Sequence, residues 1–311
     1  MATKKPKSSA KSTKTAAKTT KPKTTAAKTD EKPVSEAVKT NTVKETTDKN
    51  DKKSCFAGFF GKKYEGTESI LTIFKDHKFY GALLGEVLGT ALFAMLFFSL
   101  MFVGMANVAT FIFAVIAILI AVYAFSGARL NPIVTIGMMA TRRMSVIRGV
   151  MYIIAEIVGA WIGWLILNSF HLAGGDTATE LQPLATITDG KFWVFAMVEL
   201  LGAVIIAFIY ARALKYKRSV FTFGATVAGG IVLAFFLGYI ISGAFLGLQN
   251  NFAFNPAVAL MSQIFPTAGE NFGEIMSGIC QTLTVYVLFP ALGGVAGFYL
   301  SDFMGKLSSE E

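Results

Sequence analysis

Apolar residues run in long blocks with almost no charge inside them, rather than alternating at a strand period of two or a surface-helix period of 3.6. Residues 87–128 form one such block, 42 positions without a charged side chain. At roughly 20 residues per crossing it is long enough for two membrane spans, and Gly104-Met105-Ala106-Asn107 is the natural break. Further spans are expected at about 149–170, holding only Glu156, at about 192–211, holding only Glu199, and at about 275–301, with Pro290 and Gly293-Gly294. Residues 219–269 give 51 uncharged positions, too many for one crossing and too few for two plus a loop. One crossing followed by a re-entrant segment fits that length. The pattern predicts an all-α membrane protein: six transmembrane helices plus two re-entrant half-helices near 131–140 and 255–265.

The half-helices begin at Asn131-Pro132 and Asn255-Pro256. Asn is a favoured helix cap and Pro a favoured first helical residue, so each pair is a helix start. Within a membrane, such a start points its positive dipole end and its capping amide at the membrane centre. One Asn-Pro pair would ordinarily be a capped helix and nothing more; here the pair recurs at the same place in two half-chains. Gly85-Glu86-Val87-Leu88-Gly89-Thr90 is echoed by Val198-Glu199-Leu200-Leu201-Gly202-Ala203. Three spans per half bring the second half in from the opposite face, an inverted repeat. Non-helical backbone at 126–130 and 250–254 is expected to offer carbonyls to a file of permeating molecules. The pore-centre amides of Asn131 and Asn255 would donate to the permeant, and two helix N-termini there would disfavour cations and protons.

Composition agrees, with 53% hydrophobic residues and a mean hydropathy of +0.55. The net charge of +9 changes the picture only once it is located: residues 1–53 hold 15 Lys and 6 acidic residues, so the rest is neutral. Residues 1–75 read as a disordered, Lys/Thr/Ala-rich cytoplasmic tail, too polar to bury a core. The tail has no apolar run before a cleavage site, so it is not a secretory signal. Its lysines suit anionic lipid at about 1 kcal/mol each. No aromatic interleaves the lysines of 1–53, which disfavours nucleic acid beyond nonspecific counterion release. Basic residues follow the first half-helix (Arg142, Arg143, Arg148) and the fourth span (Arg212, Lys215, Lys217, Arg218), whereas 171–190 carries only acidic charge. The positive-inside rule then places both termini in the cytoplasm of a cell-membrane protein. Cys55 and Cys280 read as separate thiols, and no metal, cofactor or catalytic group is expected.

Several segments in combination resemble the major intrinsic protein (aquaporin/glycerol facilitator) family. They are Glu86-x-x-Gly89-Thr90, Ser126-Gly-Ala-Arg-Leu-Asn131-Pro-Ile-Val-Thr135, Asn255-Pro-Ala257 and Pro290-Ala-Leu-Gly-Gly294. The resemblance covers about 80–302. It implies an aquaporin-like channel domain over 76–305, with repeat one at about 80–170, repeat two at about 192–302 and a short tail at 306–311. It also implies half-helices meeting at midplane, a pore in each protomer, and a homotetramer. Glu86 and Glu199, each costing about 2.5–3.5 kcal/mol in a span, would support the loops by accepting their backbone N–H groups. Glu156 stands where the family usually has Gln, and a protonated Glu can mimic that amide as a donor.

The departures from the family pattern bear on the solute. The outer constriction normally has an Arg three residues after the second Asn, where this chain has Val258. Phe111 and Phe252 would be two further constriction residues, and the fourth, from span five, is expected at Leu237 or Gly238. That makes an apolar, aromatic neck. Arg129 replaces a common His before the first pair, but it lies on the cytoplasmic side and is not expected to substitute for the missing Arg. Ala259 follows the water-channel habit, and Tyr286-Val287 is mixed. The expectation is a passive channel for water and other small uncharged solutes, not an enzyme. The alternatives are a glycerol, small-polyol or ammonia facilitator, a non-conducting structural protein on the same fold, and a proton-coupled transporter using Glu86, Glu156 and Glu199.

Overall fold

A computed structural model describes residues 70–103, 108–174, 191–215, 219–245, 252–263 and 272–308. The Lys-rich segment up to 69, Cys55, the break at 104–107, the loop at 175–190 and residues 250–251 lie outside the described residues. A short helix α1 (Ile70–Lys75) precedes α2 (His77–Val103). Then come α3 (Val108–Ser126), α4 (Pro132–Ala140), α5 (Val146–Gly174), α6 (Phe192–Lys215) and α7 (Val220–Tyr239). A π-helical turn (Ile240–Phe245) extends α7, and α8 (Pro256–Gln263) follows. The last span is α9 (Phe272–Thr282), a π-helical turn (Leu283–Leu288) and α10 (Phe289–Leu307). Among the described residues, six helical segments are long and apolar enough to cross a membrane.

Two bounds differ from the sequence reading. The tail was expected to reach 75, but α1 is helical and its Ile73 is fully buried with Phe79 and Tyr152. Apolar packing against α2 and α5 holds that turn, which composition alone does not reveal. At the other end α10 runs through Lys306 to Leu307. The widened turn at Leu283–Leu288 comes just before Pro290. A proline inside a span removes one ladder bond and pushes on the carbonyl four residues back, so a local π turn there has a cause.

The repeat is visible in who touches whom. Helix α2 packs on α5 as α6 packs on α10, α2 on α3 as α6 on α7, and α4 on α10 as α8 on α5. Among the described residues, α3 with α7 and α4 with α8 join like elements across the two halves. Small residues make the tight crossings. A Cβ on Gly159 or Gly163 would lie 2.4 Å from the Val87 or Ala91 carbonyl of α2, and one on Gly293 or Gly297 would lie 2.5 Å from Leu200 or Val204 of α6. These are small-x-x-x-small contacts in each half, where van der Waals approach rather than hydrophobic burial drives association.

Polarity is inside out. Along α2, Leu84, Leu88 and Leu92 are exposed, while Glu86, Thr90 and Ala94 are buried. Glu156, Glu199, Asn131 and Asn255 are buried as well. An apolar exterior around a polar interior is what a bilayer solvent selects.

Candidate permeation site

Two half-helix tips define the site, and both are capped as the sequence predicts. Asn131 is extended (φ −158°, ψ 121°), and its Oδ1 accepts from Ile133 N at 3.0 Å, with Pro132 starting the helix. Asn255 Oδ1 accepts from Ala257 N at 3.1 Å and Val258 N at 3.4 Å. Each amide then reaches into the other half. Asn131 Nδ2 donates to the Phe254 carbonyl at 2.7 Å, and Asn255 Nδ2 donates to the Leu130 carbonyl at 3.0 Å. A primary amide carries two N–H groups, so each Asn keeps one beyond this reciprocal clasp.

The residue before each Asn is turned into the left-handed region, Leu130 at φ 54° and Phe254 at φ 49°. Such a conformation costs a non-glycine residue about 1–3 kcal/mol and persists only where neighbours over-determine it. The neighbours are the two buried glutamates. Glu86 accepts from Arg129 N at 3.2 Å and Leu130 N at 2.8 Å. Glu199 accepts from Ala253 N at 2.6 Å and Phe254 N at 3.0 Å. Three residues past each glutamate a glycine makes room: a Cβ on Gly89 would strike Leu130, and one on Gly202 would strike Phe254. Each turned residue thus gives its N–H to a carboxylate and its carbonyl to the opposite Asn.

Not every loop carbonyl is left for a permeant. Those of Leu130 and Phe254 serve the clasp, and the Gly127 carbonyl accepts from Tyr210 Oη at 2.7 Å. The carbonyls of Ala128, Arg129 and Ala253 accept no hydrogen bond from a described residue. Glu156 takes an accepting role: its Oε1 receives Thr135 Oγ1 at 2.7 Å, tying α5 to α4, while Oε2 has no partner among the described residues.

Beside the tips lies a cavity of about 20 Å³, and about 10–15 Å³ suffices for one water. It is bounded by Arg129, Leu130, Asn131, Val134, Asn255, Tyr210 and Ile206, with Phe93 of α2, Val115, Ile118 and Leu119 of α3, and Val227 and Ile231 of α7. None of Glu86, Glu156 and Glu199 lines it.

One helical turn further along α2, α3 and α7, the interior closes to aromatics. Phe235 is the hub, with ring centroids 5.9 Å from Phe111, 5.7 Å from Phe252, 5.1 Å from Phe254 and 6.0 Å from Phe97. Val258 is fully buried in the same core. The ring that α7 brings to this cluster is Phe235. Leu237 is half-buried and absent from the packed core, whereas Gly238 does face the cluster, 2.9 Å from Phe254 were it given a Cβ. The missed signal was the long connection between Ser242 and Asn255, which hid how far back the inward face of α7 had to be counted.

Six spans in an inverted repeat, with two half-helices tip to tip and polar groups turned inward, define the architecture of a membrane channel. A family model described as Major intrinsic protein matches residues 73–300. The chain belongs to that family, whose members are channels rather than enzymes. It is 32% identical over 197 residues to Glycerol uptake facilitator protein-like 6 of Lactiplantibacillus plantarum, covering 61% of this chain and 82% of the relative. It is 28% identical over 179 residues to Aquaporin-1 of Sus scrofa, covering 58% of this chain and 59% of the relative. The X-ray structure of the aquaglyceroporin from Plasmodium falciparum shares the fold at a TM-score of 0.51 and 18% identity, covering 75% of this chain and all of that one.

Proposed function

We propose that each protomer is a passive channel for water and other small uncharged solutes, working in a cell membrane with both termini cytoplasmic, and assembling as a homotetramer. The observation that carries the reading is the reciprocal clasp. It holds two capping amides and two helix N-termini at one point beside a cavity of water size. Each amide retains an N–H for a passing oxygen, and both dipole ends raise the energy of a cation there. Relatives named as an aquaporin and as a glycerol facilitator point to the same solute range.

Phe111, Phe235, Phe252 and Val258 form the proposed neck. Such side chains give a permeant no hydrogen bond, so passage there depends on size and on tolerance of an apolar wall. A solute with C–H faces, glycerol included, crosses such a wall with less loss than bare water does. The proton-coupled alternative needs a carboxylate on the permeation path, and the three buried glutamates are engaged away from the cavity. For residues 1–69 we propose a tail dispensable for conduction that rests on anionic lipid.

A stopped-flow panel on proteoliposomes, with water, glycerol, urea and ammonia, is the test. Flux of at least one neutral solute well above empty vesicles is expected. Vesicles that shrink and swell no faster than empty ones for every solute would end the channel reading.

A further inference from the structure

We propose that Arg129 is the charge-selecting residue of this pore, set on the basic-loop side of the Asn pair. The proposal rests on the channel reading above. The neck residues carry no donor and no charge, so a fixed positive group, if the pore has one, must lie elsewhere. Among the side chains lining the cavity, Arg129 alone is charged, and it shares that wall with Asn131 and Asn255.

Its guanidinium is held without being used up. The side chain is 8% exposed, lies flat over the Tyr152 ring at 3.9 Å, and has Nε 3.4 Å from Glu86 Oε1. That contact is ionic only: Nε makes no hydrogen bond, and no described residue accepts one from the terminal nitrogens. A buried guanidinium with its forked donors unengaged, lining a cavity of water size, is placed to meet a permeant. Neutral solutes with an oxygen acceptor gain a hydrogen bond there, whereas hydrated protons and metal cations meet a like charge in a low-dielectric wall.

The simpler explanation is that Arg129 only neutralises Glu86. Repeat two supplies the control for it. Its Glu199 does the same work for the second loop, accepting from Ala253 N and Phe254 N. The position matching Arg129, two residues before the Asn, is there Ala253. A buried glutamate in this fold thus supports its loop with no guanidinium beside it, and Arg129 is surplus to that task.

The test uses the full chain in liposomes, reading neutral-solute flux by stopped flow and proton and sodium leak under an imposed potential. Arg129→Ala copies what repeat two carries, and Arg129→Gln keeps an amide donor without charge. Both are expected to raise cation leak about tenfold or more, read against the neutral-solute flux of the same vesicles. Arg129→Lys should stay as leak-free as wild type. Two removals keep the proposal falsifiable should one fail to fold, as read by thermal unfolding in detergent. A conducting wild type whose folded Ala or Gln variant leaks no more than it does overturns this proposal alone. A wild type that conducts no neutral solute removes the channel reading and this proposal with it.

Discussion

Asn131 and Asn255 each perform two structural tasks at once, capping their own half-helix and latching onto the other half's backbone. Replacing either with Ala removes a cap worth about 1 kcal/mol and leaves a buried carbonyl without its donor, a further 1–3 kcal/mol or so. Asn255→Ala should therefore lose about 2–4 kcal/mol, seen as a clear drop in melting temperature in detergent. A variant melting with wild type would show that the clasp does not hold the tips. Glu199→Gln, which keeps an acceptor oxygen for Ala253 or Phe254, should melt higher than Glu199→Ala, which keeps none. At this scale the sequence was legible wherever a residue type has one reason to sit in lipid. Two Asn-Pro starts and two glutamates in spans have few other uses. Phe235 was not legible, because one phenylalanine among the 28 in this chain declares its partner only through three-dimensional register.

Among the elements, the six spans could be read because charge bounds the apolar blocks and length divides the two longest of them. Helix α1 could not, since its six residues hold Ile73 buried through contacts distant in sequence. The crossings α2–α5 and α6–α10 depend on glycines whose Cβ would enter a facing carbonyl. Gly163→Val and Gly297→Val should each displace a helix and sharply reduce the yield of folded protein in detergent. Gly229, also helical, has nothing within 4 Å of its Cβ position. Gly229→Ala should be neutral or stabilise by up to about 1 kcal/mol, since alanine loses less backbone freedom in a helix. Equal damage at Gly163 and Gly229 would mean that close approach is not what holds these helices together.

For the whole molecule, charge and apolarity are partitioned: the net positive charge lies in residues 1–53 and the rest sums to zero. A chain starting at Ser54 should keep neutral-solute flux per inserted protein within about twofold of the full chain, because the clasp, its glutamates and the cavity are built from residues 86–255. Loss of flux would instead make the tail part of the conduction machinery. The inverted repeat was legible from matched motifs. The aromatic closure was not, because it is assembled from α2, α3, α7 and the second loop together. Phe235→Ala, which removes its hub, should raise urea and glycerol flux relative to water; an unchanged ratio would place the selecting step elsewhere.

The reciprocal latch also sets a timetable for biogenesis. Until the second half is inserted, the Leu130 carbonyl lacks the donor, and one Asn131 N–H the acceptor, that the latch gives them, so the first tip is not yet fixed. It must wait until residues near 255 are threaded in, more than a hundred positions later. Halves produced as separate polypeptides, cut within 175–190, should consequently survive quality control only when made together, each serving as the template on which the other's tip completes.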